Sequence, residues 1–467
     1  MYNNLKALPT LKKVKELDKW VNVECKYFCE QNIKPCLEYL DKTLGVKPNF
    51  VSLQNANIVA KIDSGVKGYK ITIDASGKVI ILADSLSSIN NAFATITLCA
   101  KTSRKKGYIK LPVTEVVDYA DTDWRGMSID VCRRFHPIKY LYKAVDICWL
   151  YKINKLQIHF TDDENYTLPS KVLPNLSTKD NHYTFVELKA LIEYAKEREI
   201  TLIPEIDMPG HTTQFMLKYP NIFGKGEIVR LSERVFNAFY RLIDELLELF
   251  CYSPYIHLGG DEAKIKGWAT CKQSKRFIKE NGMQNEQEAY AYFVKRVTDY
   301  VLSKGKTPIV WEGFNKKYNH LISKDVIVIA WESYYQLAPD FLQSGFKIIN
   351  CSWKPLYIVT DRIRWTYKEI LKWNKYTWDH FWEESPASKN KIIVDKSSCV
   401  LGAQLCAWGD VLVNYPSCEQ ASKNEFAIIR ENLPALSQSC WAEDSGILEE
   451  DFIKIFNHTD KVLSKIL

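Results

Sequence analysis

The chain has 467 residues and a mass of 54.2 kDa, which excludes a single small domain and allows a large buried core. Hydrophobic residues make up 46% and charged residues 25%, values that exclude a disordered, collagen-like or coiled-coil protein. The net charge is +7, but the basic residues are scattered and their longest run is Arg104-Lys105-Lys106. Since no nucleic-acid recognition motif accompanies them, these charges favour solubility over nucleic-acid binding.

The cysteines and the first residues bear on the cellular compartment. The 13 cysteines form no CxxC pair and no disulfide framework, so we expect reduced, mostly structural thiols. Residues 1–23 contain several lysines and no continuous apolar stretch, unlike a secretory signal. Nowhere do about 18 consecutive apolar residues occur, so no membrane span is expected. The sequence therefore predicts a cytoplasmic protein, with a trimmed secreted form left open.

The first part of the chain mixes helical and strand patterns. Apolar residues recur at helical spacing from Leu11 to about Gly45, which predicts a helical segment. Alternating apolar residues on both sides of Asp74-Ala75-Ser76-Gly77 predict a β-hairpin within residues 68–83. A helix is expected from Ser85 to about Lys101, followed by a short extended stretch. Residues 1–118 are therefore predicted to form a small α+β domain.

After residue 118, apolar strand-like runs alternate with amphipathic helices at the spacing of βα units. The candidate strands are residues 127–131, 154–160, 201–206, 255–259, 308–312, 326–331, 347–351 and 400–408. Eight such units predict an α/β fold, a (β/α)8 TIM barrel over residues 119–467, with its active site at the C-terminal ends of the strands. The Trp-rich region 362–396 is interpreted either as a rim loop at the entrance or as an insertion packed on the barrel wall.

Polar and aromatic residues stand where these predicted strands end. Charged side chains are rarely buried unless paired, so carboxylates and histidines gathered at one rim indicate a polar pocket. Tryptophans at three strand ends would add apolar walls, an arrangement that suits a sugar ring with its C–H face and its hydroxyls. The strand-end residues are Asp130, His159, Asp162, Asp163, Glu205, Asp207, His211, His257, Asp261, Glu262, Trp311, Glu312, Trp331, Glu332, Trp408 and Asp410.

Two chemistries fit such a pocket, and spacing alone does not choose between them. The adjacent Asp261 and Glu262 could supply a general acid with a raised pKa beside an ionised carboxylate, as in glycosidases. Alternatively, His159, His211 and His257 could join a carboxylate in binding a divalent metal that activates water. The histidines form no HxH or HxxxH pair, which counts against the metal. A catalytically silent glycan-binding barrel would be favoured by a missing Asp261 or Glu262, and both are present.

Four ordered blocks at the first four strands carry a family resemblance. They are RGMSIDVCRRF at 125–135, KINKLQIHFTDD at 152–163, PEIDMPGH at 204–211 and HLGGDE at 257–262. The chain thereby resembles the β-N-acetylhexosaminidases of glycoside hydrolase family 20, over nearly its whole length, since that family also has a small domain ahead of its barrel. The resemblance implies an exo-acting, retaining hydrolase that removes terminal β-linked N-acetylglucosamine or N-acetylgalactosamine and needs no cofactor or metal.

The same resemblance implies roles for individual residues. The substrate's own acetamide oxygen is expected to attack the anomeric carbon, an exception to the usual two-carboxylate scheme. Glu262 is expected to act as general acid and base, and Asp261 to accept the acetamide N–H and stabilise the oxazolinium ion. Tyr357 matches a residue that donates to the acetamide oxygen, and Arg125 one that donates to sugar hydroxyls. The implied substrate-binding residues are Arg125, Asp162, His211, Trp311, Trp331, Tyr357, Trp408 and Asp410.

Two positions depart from the family pattern. Many members carry an Asp two residues after the tyrosine, where this chain has Val359, and a Trp-x-Glu in the last strand, where this chain has Trp408-Gly409-Asp410. Both changes fall where the 4- and 6-hydroxyls are recognised. The resemblance therefore leaves open the choice between the gluco and galacto epimers and the tolerance of a 6-substituent.

Overall fold

The computed structural model describes residues 5–359 and 363–467, except for the side chains of residues 363 and 364. Its first β-sheet is built from the N-terminal part of the chain, in the order β1-β8-β5-β6-β4-β2-β3 with β7 added to β8. Its strands are β1 Lys13–Glu24, β2 Lys26–Cys29, β3 Asn49–Phe50, β4 Ile58–Ile62, β5 Tyr69–Ile73, β6 Val79–Ala83, β7 Lys101–Thr102 and β8 Tyr108–Asp118.

The predicted hairpin and the helix that follows it are confirmed. β5 and β6 pair antiparallel, with Tyr69 opposite Ala83, and the turn lies at the predicted Asp-Ala-Ser-Gly. The next helix begins after Ser85, whose Oγ accepts the backbone N–H of Ser88 at 3.2 Å. A serine at this position satisfies one of the free N–H groups of the first helical turn, which fixes where the helix starts.

The prediction of a helical segment from Leu11 to Gly45 is wrong for its first half, which forms β1 and β2. β1 pairs with β8, and its register shifts between Glu16 and Trp20, where a bulge interrupts the ladder. A bulge adds a residue to one strand and breaks its two-residue alternation. The apolar Val14, Leu17 and Val21 consequently recur at a spacing of three and four residues, which imitates a helix.

The second sheet is a closed parallel barrel. Its strands run in the order β15-β14-β13-β12-β11-β10-β9-β20, and β15 pairs with β20 to close the ring. These strands are β9 Trp124–Asp130, β10 Lys155–His159, β11 Thr201–Glu205, β12 Tyr255–His257, β13 Thr307–Trp311, β14 Ile327–Ala330, β15 Lys347–Asn350 and β20 Val400–Trp408. All eight predicted barrel strands are confirmed, and with them the (β/α)8 fold class behind a smaller α+β part.

Additional short strands lie between β15 and β20. They are β16 Tyr357–Val359, β17 Ile363–Arg364, β18 Thr377–Trp378 and β19 Ile392–Ile393. β16 pairs with the C-terminal half of β20, placing Tyr357 opposite Cys406 and Val359 opposite Trp408. The barrel is thus extended at the rim, on the side where its strands end.

Helices cover the barrel and one face of the first sheet. The helices are α1 Lys34–Leu44, α2 Leu86–Cys99, α3 Ile138–Leu150, α4 Phe185–Lys196, α5 Thr213–Lys218, α6 Pro220–Phe223, α7 Glu233–Leu249, α8 Lys266–Thr270, α9 Lys272–Glu280, α10 Glu286–Ser303, α11 Ala338–Gln343, α12 Trp353–Leu356, α13 Tyr367–Leu371, α14 Pro386–Lys389, α15 Cys418–Trp441 and α16 Glu449–Ile466. Short 3-10 turns occur at Leu53–Asn55, Lys316–Leu321 and Leu412–Asn414. Among the described helices, none is long and apolar enough to cross a membrane. All 13 cysteines are free thiols.

The last helix returns to the first part of the chain. On α16, the Lys465 Nζ donates to the carbonyl of Thr43 in α1 at 3.2 Å, and a ring nitrogen of His458 lies 2.7 Å from the carbonyl of Leu98 in α2. α2 and α16 also pack against α3 of the barrel. The division of the chain into domains at residue 118 stays a prediction.

A buried ion pair joins the first sheet to the barrel. The Nζ of Lys152, in the turn before β10, lies 2.9 Å from the Oδ2 of Asp118 and donates to the hydroxyl of Tyr69 at 2.7 Å. The other oxygen of Asp118 accepts the indole N–H of Trp441 at 3.0 Å. Burial lowers the pKa of Lys152, and Asp118 only partly offsets this effect. We call these four residues the interlayer cluster.

Candidate active site

Polar residues at the ends of four neighbouring strands lie side by side, as the sequence predicted. In the parallel pairing, His159 stands between Asp130 and Glu205, and Glu205 stands opposite His257. The Glu205 carboxylate is the centre of this layer, since it accepts the indole N–H of Trp311 at 2.6 Å and lies 2.9 Å from the Nδ1 of His159. Every one of these side chains is buried, so the layer forms a fixed polar floor.

Asp162 joins this floor to the catalytic candidates. Its carboxylate lies 2.9 Å from His159, 2.9 Å from the Nδ1 of His211 and 2.9 Å from a guanidinium nitrogen of Arg133. The Nε2 of His211 in turn lies 3.4 Å from the carboxylate of Glu262. Burial alone would lower the pKa of His211, but Asp162 outweighs it and holds that pKa well above its usual value. A charged His211 is therefore positioned against Glu262.

A strained turn after β12 presents Asp261 and Glu262. Gly259 and Gly260 both have positive φ, and a Cβ on Gly259 would overlap the Asp207 carboxylate, whose Oδ1 accepts the N–H of Gly260 at 2.9 Å. Glu262 also adopts a left-handed conformation, with a φ of 48°. Non-glycine residues rarely do so, and such conformations concentrate at functional sites. The turn thus exposes two adjacent carboxylates at the rim.

The two carboxylates have different environments. Asp261 is buried, which raises its pKa to about 7, and His211 offsets this rise only in part. The side chain of Glu262 is 52% exposed, and its hydrogen bond with His211 lowers its pKa. Burial and the neighbouring Asp261 also raise the pKa of Asp207 well above its usual value. Burial thus favours the protonated form of both aspartates, whereas Glu262 favours the ionised form.

These residues form one side of a pocket of about 350 Å³. The lining residues are Arg133, His159, Asp207, His211, Asp261, Glu262, Trp331, Trp353, Tyr357, Val359, Phe381, Trp408 and Asp410. Charged groups occupy one side and aromatic or aliphatic groups the other. A mostly apolar cavity with a few convergent polar groups is typical of a small-molecule site.

The opposite wall is aromatic. Tyr357 stacks on Trp331, with ring centroids 5.8 Å apart and ring planes 5° apart, and on Trp353 at 4.4 Å. Trp408 closes this wall, 6.0 Å from Tyr357. Tyr357 reaches the pocket because β16 extends β20 at the rim. Aromatic faces of this kind bind the C–H face of a ring while leaving its polar groups to the charged side.

Four polar atoms of the pocket lack hydrogen-bond partners among the described residues. They are the Oδ1 of Asp261, the Oδ2 of Asp207 and the indole nitrogens of Trp331 and Trp408, all shielded from solvent. Buried polar atoms in native proteins are almost always hydrogen-bonded, so an unpaired group of this kind calls for an explanation. Two carboxylate oxygens and two indole donors are therefore available to a bound molecule.

The predicted role of Arg125 in substrate binding is wrong. Arg125 lies near the start of β9, at the opposite end of the strand from the pocket, and donates to the backbone carbonyls of Lys152 and Thr122 at 2.8 and 2.7 Å. Burial lowers its pKa to about 10. The arginine of the pocket is Arg133, three residues beyond the end of β9, which is paired with Asp130 at 3.0 Å.

The other predicted substrate-binding residues fall into two groups. Trp331, Tyr357, Trp408, Asp410 and His211 line the pocket, together with Asp261 and Glu262. Trp311 and Asp162 do not line it. Trp311 is buried behind the wall, with its ring 6.4 Å from Trp331 and 5.8 Å from Trp408, and Asp162 lies within the hydrogen-bonded floor.

Sequence reasoning missed Arg133, Trp353 and Phe381. Arg133 was identifiable, because it follows a strand end as the other pocket residues do. Phe381 belongs to the Trp-rich region 362–396, whose first residue lies outside the described part of the chain. This region meets both interpretations, since α13 packs on α15 of the barrel wall while Phe381 reaches the pocket.

The three-histidine metal site, left open by the sequence, is not assembled. Both ring nitrogens of His159 face carboxylates at 2.9 Å, and those of His211 do so at 2.9 and 3.4 Å. The Nδ1 of His257 accepts the N–H of Gly259 at 3.0 Å. The ring nitrogens of His159 and His211 are thus engaged, and His257 offers only its unpartnered Nε2, whereas a zinc ligand needs a free nitrogen. Among the described residues, no cluster of possible metal ligands brings the three histidines together.

Comparison with known proteins decides the family. The model of the glycosyl hydrolase family 20 catalytic domain matches residues 123–421, more than half of the chain and the whole of the barrel. The chain belongs to glycosyl hydrolase family 20. Its closed barrel also resembles a family 20 exo-β-N-acetylglucosaminidase of Vibrio harveyi, solved with N-acetylglucosamine, at a TM-score of 0.83 and 20% identity over 99% of this chain and 78% of that one.

Curated family 20 relatives cover the chain in part. A β-hexosaminidase of Porphyromonas gingivalis is 29% identical over 53% of this chain and 35% of its own length. β-Hexosaminidase 3 of Arabidopsis thaliana is 25% identical over 74% of this chain and 64% of its own length. The chain therefore spans between about a third and two thirds of the length of these relatives.

Proposed function

We propose that this family 20 protein is an exo-acting, retaining β-N-acetylhexosaminidase that removes terminal N-acetylglucosamine or N-acetylgalactosamine from glycans. The observation that carries the proposal is the turn after β12. It presents the buried Asp261, with one carboxylate oxygen unpaired, beside the half-exposed Glu262, opposite an aromatic wall. The two curated relatives named above, both β-hexosaminidases, support the same substrate class.

In the proposed reaction, the acetamide oxygen of the substrate forms a bond to the anomeric carbon while the glycosidic bond breaks. Glu262 donates its proton to the departing oxygen. Asp261 accepts the acetamide N–H through its unpaired oxygen and stabilises the positive charge of the cyclic oxazolinium ion. Glu262 then takes a proton from water, which attacks the anomeric carbon and restores the acetamide with retained configuration.

Substrate binding itself would reverse the order of the two pKa values. In the protein itself, Asp261 has the raised pKa and Glu262 the lowered one. A sugar over Glu262 would remove water from its half-exposed carboxyl and raise its pKa, because burial disfavours the charged form. An N–H donated to Asp261 would favour its charged form. The bound state would therefore hold the proton on Glu262, where a general acid needs it.

The polar side of the pocket accounts for hydroxyl recognition. Arg133 offers a planar fork suited to neighbouring hydroxyls, and its Nε lies 3.8 Å from Asp410. Val359 adds an apolar contact on the same wall as Trp408. We propose that Arg133 and Asp410 bind sugar hydroxyls, while Tyr357 donates to the acetamide oxygen.

The function is tested with three matched chromogenic β-glycosides: the N-acetylglucosaminide, the N-acetylgalactosaminide and the plain glucoside. We expect hydrolysis of the acetamido sugars only, because the plain glucoside lacks the attacking group. The ratio of the two acetamido rates measures epimer preference. Hydrolysis of the plain glucoside at the same rate would contradict catalysis by the substrate's acetamide. Loss of all activity after treatment with a chelator would instead indicate a metal-dependent hydrolase.

The pH dependence of kcat/KM should show the raised pKa of Asp261. kcat/KM reports the ionisation of the free enzyme. The reacting complex needs Asp261 ionised and Glu262 protonated, so the pair must carry one proton. kcat/KM should therefore fall as the pH rises through the raised pKa of Asp261, about 7, because the free enzyme loses that proton there. In Asp261→Asn, activity should be low and this alkaline limb should move to lower pH, since the proton must then be held by Glu262, whose pKa is lowered. A wild-type alkaline limb in the ordinary carboxyl range of about 4 would contradict the assignment.

A further inference from the structure

The net positive charge of the protein lies entirely in the first part of the chain. Residues 1–118 hold 18 of the 63 lysines and arginines but only 11 of the 56 aspartates and glutamates, which accounts for the whole net charge of +7. Residues 119–467 contain 45 basic and 45 acidic side chains. A charge excess confined to one region attracts ligands of the opposite sign to that region. The first part of the chain therefore favours an acidic partner, whereas the barrel does not.

The first sheet has an outer face, opposite the one on which the helices pack. Ile71 of β5 and Ile81 of β6 are buried on the side of α2, which packs on both strands. Successive residues of a strand point to opposite faces of the sheet. Lys70 and Leu82, the neighbours of these isoleucines, consequently lie on the outer face, where both are only half buried.

A row of lysines crosses the outer face. Lys13 on β1 is opposite Val117 on β8, and Val117 is opposite Lys70 on β5. Lys70 is opposite Leu82 on β6, and Leu82 is opposite Lys61 on β4. Residues that stand opposite each other on paired strands share a face. These five residues therefore form one line across five strands, in which lysines alternate with apolar side chains. We call this line the basic row.

The lysines of the basic row are accessible and regularly spaced. Lys13 and Lys61 are exposed, and the side chain of Lys70 is 38% exposed. Glu115, in the neighbouring row, lies 3.9 Å from the Nζ of Lys70, and this pair is held only weakly because solvent reaches both side chains. Neighbouring strands lie about 4.8 Å apart, so the lysines on alternate strands repeat roughly every 10 Å.

We propose that the basic row binds a linear acidic glycan in which N-acetylhexosamine alternates with a uronic acid. Such a chain carries a carboxylate on every second ring, and the uncharged rings between them have C–H faces that pack on Val117 and Leu82. This alternation favours the glycan over nucleic acid, which is charged at every unit. The choice of a glycan rests on the proposed function, because the enzyme would then stay bound to the polymer whose ends it hydrolyses.

The test measures the Kd of the full-length protein for a hyaluronan oligosaccharide long enough to cross the five strands. The probe has glucuronate at its non-reducing end, so it offers the active site no terminal N-acetylhexosamine. Replacing Lys13, Lys61 and Lys70 together with Gln should raise the Kd about tenfold, because each exposed charge contact contributes only a few-fold. Added salt should weaken binding by the wild-type protein, since it screens exposed charges.

A second triple variant controls for the loss of charge alone. Lys189→Gln, Lys275→Gln and Lys279→Gln remove the same charge from exposed positions on the barrel helices α4 and α9, and together they should leave the Kd unchanged. Hydrolysis of the chromogenic N-acetylglucosaminide should be unchanged in both triple variants, because none of the six lysines lines the pocket.

The outcomes separate the basic row from the proposed function. The same Kd in the wild-type protein and in both triple variants would overturn the basic row. Wild-type protein that binds vesicles of phosphatidylserine and phosphatidylcholine through these lysines, but does not bind hyaluronan, would overturn the glycan and indicate an anionic membrane as the partner. Wild-type protein that binds hyaluronan through the row but hydrolyses no acetamido glycoside would overturn the proposed function and support the row.

Discussion

Replacing Glu262 with Gln should lower kcat for acetamido glycosides by about 10² to 10⁴, the usual contribution of a positioned general acid. The amide has the shape of the carboxyl group but cannot give a proton to the departing oxygen. The fold should be unaffected, because the Glu262 side chain is 52% exposed and its carboxylate lies 3.4 Å from a ring nitrogen of His211 at the rim of the pocket. The measurement is steady-state hydrolysis of a β-linked disaccharide of N-acetylglucosamine, whose leaving alcohol needs protonation, with thermal unfolding to verify the fold.

The design separates acid catalysis from general damage. A substrate whose leaving group is already a good one needs little protonation, so Glu262→Gln should lose less activity on it. Glu280→Gln changes an exposed glutamate at the end of α9, paired with Arg276 at 2.6 Å, and should leave kcat unchanged. A near-wild-type rate for Glu262→Gln would contradict the assignment of the acid.

Breaking the interlayer cluster should have the largest effect on stability. Lys152→Met leaves the carboxylate of Asp118 buried without its cation, and removing one partner of a buried ion pair typically costs about 3–5 kcal/mol. The free energy of unfolding in urea should fall by this amount. Activity per folded molecule should be unchanged, because the cluster lies between the first sheet and the barrel, before the start of β10.

A double-variant cycle identifies the cause of that loss. Lys152→Met with Asp118→Asn leaves no buried charge, so it should be less destabilised than Lys152→Met alone. The exposed pair of Arg276 and Glu280 provides the matched control, because an ion pair in contact with solvent contributes little to stability. A loss in Lys152→Met no larger than in Glu280→Ala would contradict the role of the cluster.

The barrel and the position of its site were predictable because both follow from a pattern that repeats along the sequence, a buried strand followed by polar residues. Each barrel strand ends at a polar residue or within two residues of one, and parallel pairing brings those ends together, as His159 between Asp130 and Glu205 illustrates. The turn that carries Asp261 and Glu262 was also recognisable, since two adjacent glycines precede the carboxylates. The sequence signals for the strand ends and for this turn each lie within a few neighbouring residues.

Features that depend on distant partners were not predictable. β1 owes its conformation to pairing with β8, about a hundred residues away, and its bulge hides the strand period. Arg125 and Arg133 stand at opposite ends of one strand, so only the strand direction tells which guanidinium faces the pocket. Phe381 comes from a region without periodicity. Its place at the pocket depends on a contact between two loops, in which the Ser385 Oγ donates to the carbonyl of Glu332 at 2.7 Å.

The contact of α16 with α1 and α2 has a consequence for biosynthesis. Domains generally fold in order as they leave the ribosome, the N-terminal one first. Here the first β-sheet is synthesised early, but one of the helices that pack with its helices α1 and α2 is α16, residues 449–466. That surface stays uncovered until nearly the whole barrel has been synthesised. The first β-sheet and its helices therefore remain incompletely buried for most of translation. Exposed apolar surface at that stage makes a protein most dependent on chaperones.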